Sequence, residues 1–194
     1  MSTDSSHVLA QAVHDLGAAL WFGGAVMGVA GVNKAGSDLR DPIDKVRVAE
    51  SAWRRFAPVE WAGIAAVLGA GTQLTRASKG RLAAQHGWAR AGGVKAAVAV
   101  AGAGATAFAA YSGGKIGQLT EQAAAAGRPV DVSDASIPSS GTPAEIAVWQ
   151  KRQRAVQYLV PLASGANIVL NAYLVQTYRP AATAKGLVRR LLPG

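Results

Sequence analysis

The sequence contains no cysteine. Structural disulfides, thiolate metal sites and cysteine nucleophiles are therefore excluded. Charge is scarce as well: 16% of the 194 residues are Asp, Glu, Lys or Arg, against about 25% in an ordinary globular chain. That deficit points to a membrane. Catalytic signatures are missing too, with no GxSxG, no glycine loop ending in GK[ST] and no HExxH. Histidines number three, His7, His14 and His86. His7 and His14 share a helical face but stand about 10.5 Å apart along the axis, so one ion cannot be held by both. The formal charge of +9 comes from basic residues flanking apolar segments. They form no stripe interleaved with aromatics, so a nucleic-acid partner is not expected.

What the sequence does contain is apolar runs of bilayer length, at about 8–32, 57–75, 91–112 and 155–177, each near the ~20 residues that cross a hydrocarbon core. Backbone groups find no water there, so the runs must be helices. The reading is an all-α integral membrane four-helix bundle in one domain covering 1–194. The first run is longer than a signal-peptide core and reads as a retained span. Both termini then lie on one face, and the two long connections emerge on the other. In the first of these, Asp41 caps a helix with Pro42 at its first position. Ile43, Val46, Trp53 and Phe56 recur at helical spacing among basic residues, which predicts an amphipathic helix over about 42–56 on the membrane surface, running into the second span with a kink near Pro58. The second holds a flexible polar connection at about 127–142, then Thr142, Pro143 and Glu145 as a capping box. Pro161 should bend the fourth span. Trp53, Trp61, Trp88 and Trp149 fall near span ends as interfacial anchors. The density of basic residues places the termini in the cytoplasm, although their absolute number favours the reverse.

Ionisable residues inside the spans are costly, about 2.5–3.5 kcal/mol each near the centre, and usually face the interior in pairs. Counting along antiparallel spans brings His14, Asp15, Lys95 and Asn171 to one depth, a polar layer near the terminus face. An Asp15–Lys95 ion pair is the economical arrangement, with His14 about 100° round the helix from Asp15. Glu60 belongs to the opposite face, near Gln157 and Tyr158. Small residues supply the packing: Gly24 and Gly28 form a small-xxx-small pair, and Ala97, Ala101, Ala105 and Ala109 line one face of the third span. These faces build the bundle, or else a homo-oligomer or a contact in a larger membrane complex.

At HDLGAALWFGG the sequence resembles the first span of the copper-resistance-D-like membrane proteins and their protoporphyrinogen-oxidase-type relatives. Those families show a histidine followed, about half a dozen residues later, by Trp-x-Gly-Gly, which maps to His14, Trp21, Gly23 and Gly24. The oxidase type carries a lysine early in its third span, matched by Lys95 in GGVKAAV. The resemblance covers the first span and a piece of the third. It implies a four-helix membrane fold with His14 and Lys95 near a porphyrin or metal, haem or copper, with His14 as a ligand. The sequence departs from that pattern in having no further intramembrane histidine or methionine positioned as a second ligand.

These residues lead to a small multi-pass protein of a bacterial-type cell membrane, non-enzymatic, with the lipid bilayer as its surroundings. It would act as an accessory or interaction subunit of a membrane complex or as a small transport unit. Two alternatives stand beside this: a haem- or metal-binding redox protein using His14 and Lys95, and a proton or ion relay through Asp15, Lys95 and Asn171.

Overall fold

The computed structural model describes residues 3–78 and 86–176. Among them there is no β-strand, and one isolated bridge joins Val132 to Pro138. The chain forms four helical rods. The first is α1, Thr3–Met27, prolonged by a π-helical turn over Gly28–Val32 and two short turns that end at Asp38. The second is α2, Pro42–Ala77, and the third is α3, His86–Ala125. The fourth consists of α4, Ala144–Val156, and α5, Leu159–Gln176. Residue 177 of the expected fourth span, and the basic residues Lys79, Arg81, Arg179, Lys185, Arg189 and Arg190, lie outside the described residues.

Three helical stretches, His7–Asp38, Gly87–Ala125 and Ala144–Gln176, are long and apolar enough to cross a membrane. Only 17–28% of their most apolar windows is buried in protein, so most of their side chains face outward. Leu16, Val100, Leu162 and Val169 are among the exposed ones. The expected second span, 57–75, is not one of the three. Glu60, Thr72 and Gln73 dilute its apolar character, and its inner face is covered by α1 instead.

Proline explains the breaks and their absence. The bend expected at Pro161 appears between Val156 and Leu159, because the proline ring crowds the carbonyl four residues earlier, at Gln157. Pro58, by contrast, stays inside α2 without ending it. Asp41 caps α2 as expected, its carboxylate accepting from the Ile43 and Asp44 amides at 2.7 and 3.4 Å.

The principal core joins Ala18, Trp21 and Ala25 of α1 to Ile64 and Val67 of α2, Ala99 of α3 and Val160 of α5. Trp21 is fully buried, and its indole N–H donates to Thr106 Oγ1 at 3.1 Å, which satisfies the one polar atom that a buried tryptophan brings with it. A second core lies at the other end, where Val46, Ile116, Ala123, Val132 and Ile146 meet. The helix expected over 42–56 is the first part of α2 and packs against this second core. Its apolar face, Val46 and Ala49, is buried in protein.

The expected flexible polar connection at 127–142 is instead a folded loop. Gly127, at φ +65°, ends α3 with the amides of Gly127 and Arg128 returning to Ala124 and Ala123, the close of a helix that glycine permits. Val132 then enters the second core, and Gln150 Nε2 donates to the Asp134 carbonyl at 3.1 Å. Thr142 does not cap α4. Its hydroxyl accepts from the Ser139 amide at 2.8 Å and donates to the Asp131 carbonyl, closing the loop on itself.

Two ion pairs pin this end together. Arg47 forks onto Glu121 at 2.6 and 2.9 Å, and Arg128 meets Glu145 at 2.7 Å. The hydrogen bonds from Arg47 and Arg128 hold the Glu121 and Glu145 carboxyls below the usual carboxylate range. A carboxyl whose folded value is depressed contributes stability that is present above its unfolded value, near ~4.3, and is lost as pH falls through the folded value. Hydrogen exchange in the 127–142 loop, corrected for intrinsic rates, is accordingly expected to quicken between pH 6 and pH 3 while α1 stays protected. Because both pairs are half exposed, the effect should be small and weaken in salt. A loop as protected at pH 3 as at pH 6 would show that the pairs contribute nothing.

Candidate functional site

The buried stripe of α1 runs through Ala10, His14, Ala18, Trp21 and Ala25, steps of three and four that mark one helical face. His14 therefore turns inward and is fully buried, whereas the Asp15 side chain, one residue on, is 55% exposed. On α3 the inward stripe passes through Ala99 and Thr106. Lys95, one turn before Ala99, continues it toward α5.

These side chains meet in one hydrogen-bonded chain. Lys95 Nζ donates to Asn171 Oδ1 at 2.6 Å, and Asn171 Nδ2 donates to Asp15 Oδ1 at 2.9 Å. Asp15 also receives Gln11 Nε2 at 2.9 Å on both oxygens and lies 3.1 Å from His14 Nδ1. The expected direct Asp15–Lys95 ion pair is thus corrected: an amide, donor at one atom and acceptor at the other, stands between them. With Nδ1–H turned to Asp15, His14 keeps a lone pair on Nε2, a buried atom with no partner among the described residues. Gly71 of α2 faces the ring, and a Cβ there would stand 3.8 Å from His14 Cδ2.

A polar stripe leaves this layer along the inner face of the fourth rod. Asn171, Asn167, Ser164 and Gln157 are all buried, a rise of about 21 Å at 1.5 Å per residue. Asn167 has neither side-chain atom bonded among the described residues. Gln157 ends the stripe at a cavity.

That cavity, about 310 Å³, lies between all four rods and extends under the loop at Ala135 and Ser136. Trp53 Nε1 donates to Asn33 Oδ1 at 2.8 Å, and Asn33 Nδ2 donates to Gln157 Oε1 at 2.8 Å, tying three walls together. Glu60, expected at this end, borders the cavity and is 5% exposed. The sequence reading missed the cavity, and with it Asn33, Gln153 and an inward Trp53 that had looked like an interfacial anchor. The available signal was the glycine-rich run GVAGVNK, where a π-helical turn rotates Asn33 inward.

The packing residues divide. A Cβ at Gly24 would run into the Phe56 ring, and one at Gly28 into the Trp53 ring, so this pair seats α2 against α1 within the chain. Ala97 and Ala101 are exposed, and Ala105 is half-buried. The buried face of α3 carries Ala99, Gly102 and Thr106, and Ala105 and Ala109 of the expected face pack against the core beside it.

Of the two residues that the resemblance places near a porphyrin or metal, His14 offers its bare Nε2 and Lys95 donates to Asn171. Among the described residues no group of three or more His, Asp or Glu side chains is placed to hold an ion, Lys95 is committed to Asn171, and the cavity above borders neither His14 nor Lys95. Compared with protein-family models, curated proteins and solved structures, the chain finds no match.

Proposed function

We propose that the chain is a multi-pass membrane protein of a bacterial-type cell membrane, with cytoplasmic termini, working as a small transport unit whose cargo at the terminus end is a proton. The observation that carries this reading is the chain of bonds through Lys95, Asn171, Asp15 and His14. Ionisable groups at such a depth are expensive, and where they are linked across helices and open to water on one side they mark a path. Here the half-exposed Asp15 is the wet end and the buried Nε2 of His14 is the dry end.

The steps use both ring nitrogens. A proton reaching Nε2 from the interior makes the imidazole a cation. The Nδ1 proton then passes to the Asp15 carboxylate, which delivers it to water. The ring is left neutral with its proton on Nε2 and resets by rotation. Lys95, held one amide away, fixes Asn171 against Asp15.

The test is acidification of proteoliposomes containing a trapped pH dye under an imposed potential. Wild-type protein is expected to dissipate the gradient, and Asp15→Asn and His14→Gln to slow it at least tenfold while remaining folded. Wild-type vesicles no leakier than protein-free ones would overturn the reading.

A further inference from the structure

The cavity at the other end of the molecule carries a different set of groups. Its walls are largely alanine, glycine and aromatic, yet two carboxylates border it on one helix, Glu50 and Glu60 of α2. Glu60 is almost completely buried, and neither carboxylate makes a hydrogen bond or ion pair within the described residues. Gln153 Oε1, also at the cavity, is buried without a partner there. The remaining polar groups are mostly satisfied internally: Asn33, Trp53 and Gln157 bond to one another, and Thr106 is occupied by Trp21 and its own helix. Arg54, at the edge of the cavity, is exposed.

Among the buried side chains here the unmet capacity is therefore on the acceptor side, the Glu60 carboxylate and the Gln153 amide oxygen, with the half-buried Glu50 beside them, in an apolar space of ligand size. A buried acceptor left bare is costly, and a buried carboxylate more so. We infer that this cavity is a binding site for a small amphiphilic ammonium, with its N–H donors on Glu60 and Gln153 and its apolar body against the walls around Trp53 and Trp61. An anion would meet two like charges. A neutral hydrocarbon would leave the acceptors bare. An aromatic ammonium meets both needs, with Trp53 and Trp61 bordering the cavity. The inference goes beyond the proton path, because it concerns occupancy of a separate site; its test reads binding and the flux assay reads flow, so either can fail alone.

The experiment titrates phenethylammonium into the full-length protein in phosphatidylcholine nanodiscs and reads tryptophan fluorescence and heat. Saturable binding is expected, with 2-phenylethanol, the same body without the charge, at least tenfold weaker. Glu60→Gln should weaken phenethylammonium at least tenfold. Ala57→Leu, which fills the cavity and keeps both carboxylates, should abolish binding, and it carries the test if Glu60→Gln does not fold. Asp38→Asn, which removes an exposed carboxylate outside the cavity, should change nothing. Competition by added phosphatidylethanolamine would identify a lipid headgroup as the source of the ammonium; its absence would identify a free amine. Equal binding of the alcohol and the ammonium, or unaltered binding in Ala57→Leu, would overturn the inference.

Discussion

Replacing Asn171 with leucine is expected to destabilise the protein by about 2–3 kcal/mol, more than removing either charge it connects. A neutral hydrogen bond between helices in a membrane is worth only ~0.6 kcal/mol on average, whereas bonds to charged groups contribute about 1.5–3. Asn171 makes one bond of the second kind on each side, to Lys95 at 2.6 Å and to Asp15 at 2.9 Å. Losing the amide strands Lys95 far more than Asp15, because Asp15 keeps Gln11 and His14 as partners. Asp15→Asn should accordingly cost well under half as much. Adding Lys95→Met to Asn171→Leu removes the stranded charge, so the double variant should be less damaged than the sum of its parts, by about 1 kcal/mol or more. Unfolding free energies in mixed micelles measure all four corners of the cycle. A leucine at 171 that leaves stability unchanged within about 0.5 kcal/mol would remove Asn171 from the centre of the network.

This layer was legible in the sequence as a depth and not as a wiring diagram. Counting residues along antiparallel helices put His14, Asp15, Lys95 and Asn171 at one level, and they do meet. Depth alone favours the shortest electrostatic story, a direct ion pair. Which groups touch depends on rotation about each helix axis, and composition carried that phase unevenly. On α1 the large side chain of Trp21 fixes the buried face, and His14 follows it. On α3 the candidates were alanines, which look alike from every side. Of the face assigned there, Ala97 and Ala101 are exposed, Ala105 and Ala109 pack against the core, and Ala99 is the alanine that is buried near Lys95. The helix start at Asp41 was readable because capping is local chemistry. Thr142 fits the same local pattern, yet tertiary bonds to Ser139 and Asp131 claim its hydroxyl. The cavity left only an indirect trace, the glycine-rich run that turns Asn33 inward. A gap between four rods is a property of how they splay, and no single segment records it.

The close approach of α1 and α2 sets that splay, and it should fail sharply at one residue. A Cβ placed at Gly17 would stand 2.6 Å from the Gly63 carbonyl oxygen and 2.7 Å from Ala66 Cβ, and one at Gly63 would stand 2.9 Å from the Gly17 carbonyl oxygen. These are backbone and Cβ atoms, so no flexible side chain can swing away, and the two helices must part. Gly17→Leu is expected to cost at least about 3 kcal/mol, the upper end of what overpacking does in a close-packed interior. The helical preference of leucine over glycine, under ~1 kcal/mol, does not offset it. Gly104→Ala and Gly93→Ala make the contrast, since a Cβ at either meets nothing within 4 Å; there the reduced freedom of the unfolded chain should add about 0.4–1 kcal/mol. Thermal unfolding of the three variants separates the cases. Because α1 carries His14 and Asp15 three and two residues before Gly17, pushing it from α2 also pulls the layer from Asn171, so the leucine variant should lose proton flux even where it still folds. Equal stability of Gly17→Leu and Gly104→Ala would mean that α1 and α2 are not in backbone contact, and the polar layer would lose the geometry that defines it.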